Sequence, residues 1–79
     1  MKIKLTSIDK KQAKGLKNTT VYKCVMYVNG NRVDTFEMCK TNNEFWAWTG
    51  DTIFQSIVNL REVAAEKLNS KEIVLNGTI

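Results

Sequence analysis

A chain of 79 residues with a net charge of +4, 43% hydrophobic and 25% charged, has the composition of one small folded domain. That length excludes a second independent core, and the composition is unlike that of a disordered segment. No apolar run approaches the about eighteen residues of a membrane span, and "MKIKLTSIDKK" lacks the unbroken apolar stretch of a secretion signal, so a cytoplasmic protein with no membrane partner is expected.

Charge is unevenly spread. Residues 1 to 23 carry seven lysines against Asp9 alone, while the rest of the chain is slightly acidic. Such a distribution suits contact with phosphate or with an acidic protein surface, and a merely solvated lysine loop would look the same.

The first element is a strand at "KIKLTSI", where Ile3, Leu5 and Ser7 alternate with Lys2, Lys4 and Thr6. "DKKQAKGLKN", residues 9 to 18, reads as a long exposed loop, because Gly15 and Asn18 interrupt it and little in it could pack. Lys10, Lys11, Lys14 and Lys17 make that loop basic.

"TTVYKCVMYVNGNRVDTFEMCK" is the clearest signal, with β-branched and aromatic residues on both sides of Asn29-Gly30-Asn31. A three-residue loop would pair Val28 with Arg32 and set Lys23 opposite Glu37. A two-residue Asn29-Gly30 loop would set Lys23 opposite Phe36 and mix the faces, so the first register is expected. Tyr22, Cys24, Met26, Val28, Phe36 and Met38 then share the core face, and Cys39 falls on the face opposite Cys24, which argues against a disulfide. The reverse face carries Val21, Val25, Tyr27 and Val33. That is too apolar for a face meeting only water, so a second layer, a binding surface or a homodimer contact is expected there.

Thr41-Asn42-Asn43-Glu44 matches a capping box and predicts a short helix over about 42 to 49, with a strand through Phe45 to Trp48 as the competing reading. On that helix Phe45 and Trp48 would face the core, and Trp46 would be the exposed anchor. Gly50 would end it and Asp51 would cap the next. "TIFQSIVNLREVAAEKLN" is strongly amphipathic: Ile53, Ile57, Leu60, Ala64 and Leu68 form the core stripe, Phe54, Val58 and Ala65 a flank, and Arg61 lies between them. Gln55, Asn59, Glu62 and Glu66 face solvent. Glu72 to Leu75 closes the chain as a short strand. The expected fold is α+β, a three- to four-stranded antiparallel sheet packed on one main amphipathic helix with a short helix before it.

The chemical inventory is thin. Histidine is absent, the two cysteines lack the spacing and companions of a zinc site, and no glycine-rich phosphate loop or nucleophile elbow occurs. Neither an enzyme nor a cofactor is expected. Two sequons, Asn18-Thr19-Thr20 and Asn76-Gly77-Thr78, carry no meaning without secretion.

Two binding functions remain. A nucleic-acid-binding module would use the lysine-rich 9–18 loop, and the order of strands followed by a helix is similar to double-stranded RNA-binding modules and to phage integrase DNA-binding domains. Against it stand "TGDTIFQ" where a basic helix start belongs, only two arginines, and no aromatic pair on one hairpin face. The favoured reading is a module that docks on a larger protein through Tyr27, Val33, Trp46, Phe54 and Arg61. In size and layout, a hairpin meander, then "TNNEFWAW", then a longer amphipathic helix, the whole chain resembles small phage-encoded anti-CRISPR proteins. The resemblance implies a non-enzymatic inhibitor docking stoichiometrically on a host protein or ribonucleoprotein complex, in the host cytoplasm. Lys10, Lys11, Lys14 and Lys17 would then contact an acidic surface or a phosphate-binding groove.

Overall fold

Two tight turns and two bulges set the architecture. The computed structural model describes residues 1–77, so Thr78, which completes the second sequon, lies outside the described residues. The elements are β1 (Ile3–Gln12), β2 (Thr19–Val28), β3 (Asn31–Thr41), β4 (Glu44–Ala47), α1 (Gln55–Asn69) and β5 (Leu75–Gly77). They form one sheet in the order β4-β3-β2-β1-β5, antiparallel except for β5, which runs parallel to β1. The α+β class is as expected. Among the described residues the sheet, however, has five strands and is mixed, and no helix precedes α1.

The expected short helix is β4. Asn42 and Asn43 both take positive φ, 50° and 69°, which is the geometry of a tight hairpin turn and incompatible with a first helical turn. The capping-box pattern was therefore misleading: asparagine tolerates the left-handed region, and two in succession outweighed the cap. Phe45 pairs with Lys40 and Trp46 with Cys39, so the aromatic run alternates between faces.

The first hairpin combines features of both sequence registers. Its turn is the two-residue one, with Val28 opposite Asn31, and a bulge at Val33 then restores Met26 to Asp34, Cys24 to Phe36 and Lys23 to Glu37. One extra residue in β3 thus corrects the face mixing that made the two-residue turn look wrong. A second bulge, at Ile8, lets β1 continue to Gln12: Ser7 faces Cys24, and Asp9 faces Lys23. The expected 9–18 loop shrinks to residues 13–18. Alternation read from sequence stops at such a bulge, so the pattern does not reveal that Lys10 and Lys11 belong to the strand.

The core face matches the expected one. Leu5, Cys24, Met26, Phe36 and Met38 are buried beneath Ala64, Ala65 and Leu68 of α1, and the two alanines allow the helix close to the sheet. Cys39 is buried on the opposite face from Cys24, and both thiols are free. At its C-terminus α1 clasps the sheet edge: the Asn69 side chain accepts from the Phe45 amide at 2.8 Å and donates to the Phe45 carbonyl at 2.9 Å. One side-chain amide thus takes the place of a neighbouring strand along β4. Lys71, at φ 64°, then turns the chain, with the Glu72 amide donating to the Lys67 carbonyl at 3.0 Å. The last strand forms at Leu75–Gly77, later than the expected Glu72 to Leu75, because this helix cap occupies Glu72 and Ile73.

The Asn42-Asn43 turn gives a direct test. Asn43→Ala should cost about 1 kcal/mol in urea unfolding, and Asn43→Gly should be neutral or stabilising. Were the segment helical, that order would reverse.

Candidate functional site

The sheet face opposite α1 carries the candidate site. Register places Lys4, Thr6, Asp9 and Lys11 of β1 there, with Val21, Lys23, Val25 and Tyr27 of β2. Arg32, Thr35, Glu37 and Cys39 of β3 join them, followed by Trp46 of β4. The one helix among the described residues packs on the other side. Even so Val21, Val25 and Cys39 are buried. Their neighbours explain it, since long side chains arch over small ones: the Lys11 ammonium reaches Glu37 at 3.8 Å, diagonally beside Val21, and the Trp46 indole lies across Cys39 to Thr41.

Both tryptophans stand on this face. The Trp48 amide donates to the Glu37 carbonyl at 2.9 Å, which continues the β3–β4 ladder by one step and returns Trp48 to the side of Trp46. They are 36% and 47% exposed, yet neither ring is loose. Trp46 Nε1 donates to Thr41 Oγ1 at 2.9 Å. Trp48 lies so close over Gly50 that an added Cβ would sit 2.6 Å from its ring, so only glycine leaves the indole its position. Beside Trp48 a cleft of about 390 Å³ is lined by Lys10, Lys11 and Lys23 together with Asp9, Glu37 and Asp51.

The support for this end is Arg61. Expected at the surface as a partner contact, it is instead 3% exposed. Nε and Nη2 donate to the two Asp34 oxygens at 2.7 and 3.1 Å, and Nη1 donates to Asp51 Oδ1 at 2.6 Å and to the Trp48 carbonyl at 3.0 Å. A further contact from Nη2 to Asp51 Oδ2 at 3.5 Å completes the set, and the guanidinium lies 5.0 Å over the Phe36 ring. Hydrogen bonding to Asp34, then to Asp51, raises the Arg61 pKa well above its usual value against the opposing effect of burial. The hydrogen bond from Arg61 likewise holds the Asp51 carboxyl below its ordinary value.

Asp51 was expected to cap the long helix. Because it turns to Arg61, the helix begins only at Gln55, with Phe54 at the cap position and no side-chain cap bond. Ile53, assigned to the core stripe, is 94% exposed, and Phe54 is 65% exposed. The remaining sequence candidates separate in space. Lys14 and Lys17 sit on the exposed 13–18 loop and Val33 is the exposed bulge residue. Lys10 and Lys11 lie near Trp48, while Tyr27 lies at the far end of the face beside the Asn29-Gly30 turn.

Sequence reasoning missed Trp48, Lys23 and Glu37 as companions of Trp46. A strand through residues 45 to 48 would have placed them together, but the capping-box pattern hid it. Burial raises both thiols: Cys24 is pushed up to about 11, and Cys39 rises through desolvation and then through the charge of Glu37. Both are therefore neutral thiols near pH 7. No protein-family model, curated protein or solved structure matches the chain.

The Arg61 cluster makes an unequal set of mutants. Asp34→Ala, which strands a buried guanidinium, should cost about 3–5 kcal/mol, whereas the double change Asp34→Ala with Arg61→Met should cost less because both buried charges leave together. Urea titration ranks the two. Asp51 adds a pH term. Its folded pKa is depressed, so its stabilisation is complete above the ordinary 3.8 and disappears as pH falls through the lower folded value. Asp51→Asn should flatten the acid limb of a stability–pH curve and leave its slope at neutral pH unchanged.

Proposed function

We propose that this protein is a non-enzymatic docking module that binds a larger protein complex stoichiometrically, with the tryptophan end of the uncovered sheet face as its contact. The observation that carries the reading is the pair Trp46 and Trp48, which are exposed and adjacent on one face yet held in place by Thr41, Gly50 and the Arg61 bond to the Trp48 carbonyl. Rigid, half-exposed indoles supply large apolar area at little cost in side-chain entropy, and tryptophan is enriched among the residues that dominate interface energies.

The surrounding charges favour protein over nucleic acid at this end. Lysines and carboxylates alternate around the cleft, and Lys11 is already engaged by Glu37. A phosphate backbone would meet Asp9, Glu37 and Asp51 as repulsion, whereas a protein surface with an apolar recess and a rim of both signs could satisfy every group. Resemblance in layout to phage-encoded anti-CRISPR inhibitors supports the inhibitory form of the reading, in which the module occupies a working surface of a host protein or ribonucleoprotein complex. Exposed Phe54 and Ile53, which follow Trp48 along the same connection, extend the apolar contact available.

Two single substitutions examine this. Trp46→Ala and Trp48→Ala should each weaken a nuclease-resistant, one-to-one partner by about 2 kcal/mol or more, roughly thirtyfold in Kd, with the thermal midpoint preserved. Calorimetric titration of the purified pair measures it. A partner that binds both variants as tightly as the parent protein, or that is lost on nuclease treatment, would show the reading to be wrong.

A further inference from the structure

The other end of the same face has a different chemistry. Tyr27 stands in a row across three strands, with Lys4 of β1 on one side and Arg32 of β3 on the other. At the usual strand spacing the Cα atoms of Lys4 and Arg32 lie roughly 10 Å apart, one on each side of Tyr27. A hollow of about 630 Å³ opens here, lined by Lys2, Lys4, Thr6, Tyr27 and the Asn29-Gly30 turn, with no carboxylate among its walls. The nearby Asp34 is turned to the core face, where Arg61 holds it.

The hollow is also pre-shaped. The Lys2 amide donates to Asn29 Oδ1 at 2.9 Å, and the Asn29 amide donates back to the Lys2 carbonyl at 2.8 Å. Those bonds fix the start of β1 against the turn. Arg32 Nη2 donates to Thr35 Oγ1 at 2.8 Å, which keeps the guanidinium on this face with donors to spare.

We propose that this hollow binds a nucleotide unit of single-stranded nucleic acid. The base stacks on Tyr27, and the phosphates on either side of it meet Lys4 with Lys2, and Arg32. An aromatic residue with a cationic neighbour on each adjoining strand, beside a hollow whose lining holds no anion, matches a base between two phosphates. An acidic peptide would use the cations and leave the ring idle. A duplex would offer no unstacked base. The site is separate from the lysines of the 13–18 loop, which lie at the opposite end of the β1–β2 ribbon, and it does not depend on the tryptophan contact.

Fluorescence anisotropy with a labelled single-stranded oligonucleotide, titrated across salt, tests it. Tyr27→Ala should weaken binding about tenfold and Tyr27→Phe should restore it, because the ring supplies the stacking. Lys4→Ala and Arg32→Ala should each lower the slope of log affinity against log salt by about 0.7, the value for one phosphate contact on a single strand. Lys71→Ala, which removes the same charge from the helix side, should leave affinity unchanged. Competition by a mononucleotide at matched affinity would support the same site with a free nucleotide as its ligand. Equal binding of a duplex or of polyglutamate, or indifference to Tyr27→Ala, would overturn the proposal.

Discussion

Everything at the tryptophan end depends on one guanidinium. Arg61 leaves the helix, passes over Phe36 and ties the β3–β4 hairpin, at Asp34 and at the Trp48 carbonyl, to the connection at Asp51. A buried ion pair of this kind is weak as a source of net stability, since desolvation offsets most of the attraction. Its effect is on arrangement. An arginine whose donors are all engaged permits one placement of the chain around it, and here that placement puts Trp48 on the uncovered face and moves the start of the helix to Gln55. The exposure of Ile53 and Phe54 follows from the same bonds, because Asp51 cannot serve Arg61 and cap a helix at Thr52 together.

Bulges have a comparable influence on the face itself. Were Ile8 in regular alternation and not bulged, Asp9 and Lys11 would point into the core side, and were Val33 so, the Asp34 carboxylate would point away from Arg61. Each bulge flips the parity of everything beyond it. The distribution of charge on the outer face is therefore a product of two inserted residues as much as of lysine content. A domain this small can leave that face without a second layer because the residues in the middle are valines and a cysteine, short enough to be covered by lysine stems and an indole.

Much of this was legible in the sequence, and the failures share a cause. The core face of the first hairpin, the Lys23–Glu37 pairing, the separation of the cysteines and the long helix all rest on periodicity sustained over many residues, which tertiary context seldom overturns. The errors fall where one or two residues decide. Thr41 and Glu44 form a capping box on paper, but Asn42 and Asn43 between them also form a hairpin turn, and the chain could satisfy only one. Arg61 looked like a boundary residue of an amphipathic helix because nothing local signals that Asp34 and Asp51, 27 and 10 residues away, converge on it. Long-range polar clusters leave no period, so sequence patterns do not report them.

The two ends of the outer face differ in what they can exclude. Around Trp48 the carboxylates Asp9, Glu37 and Asp51 stand among the lysines, and Glu37 and Asp51 already pair with Lys11 and Arg61, so a polyanion would have to displace bonds the cations already make. Around Tyr27 no acidic side chain lines the hollow, and the same polyanion meets only cations and a ring. In the proposed reading, selectivity on one sheet is thus divided by position: carboxylates interspersed with lysines disfavour phosphate at one end, and a hollow lined by cations and a tyrosine, with no anion, favours it at the other. The strand register fixes both ends relative to each other, so under the two proposed contacts a partner that carries a protein surface beside exposed single-stranded nucleic acid would meet complementary chemistry along one continuous face.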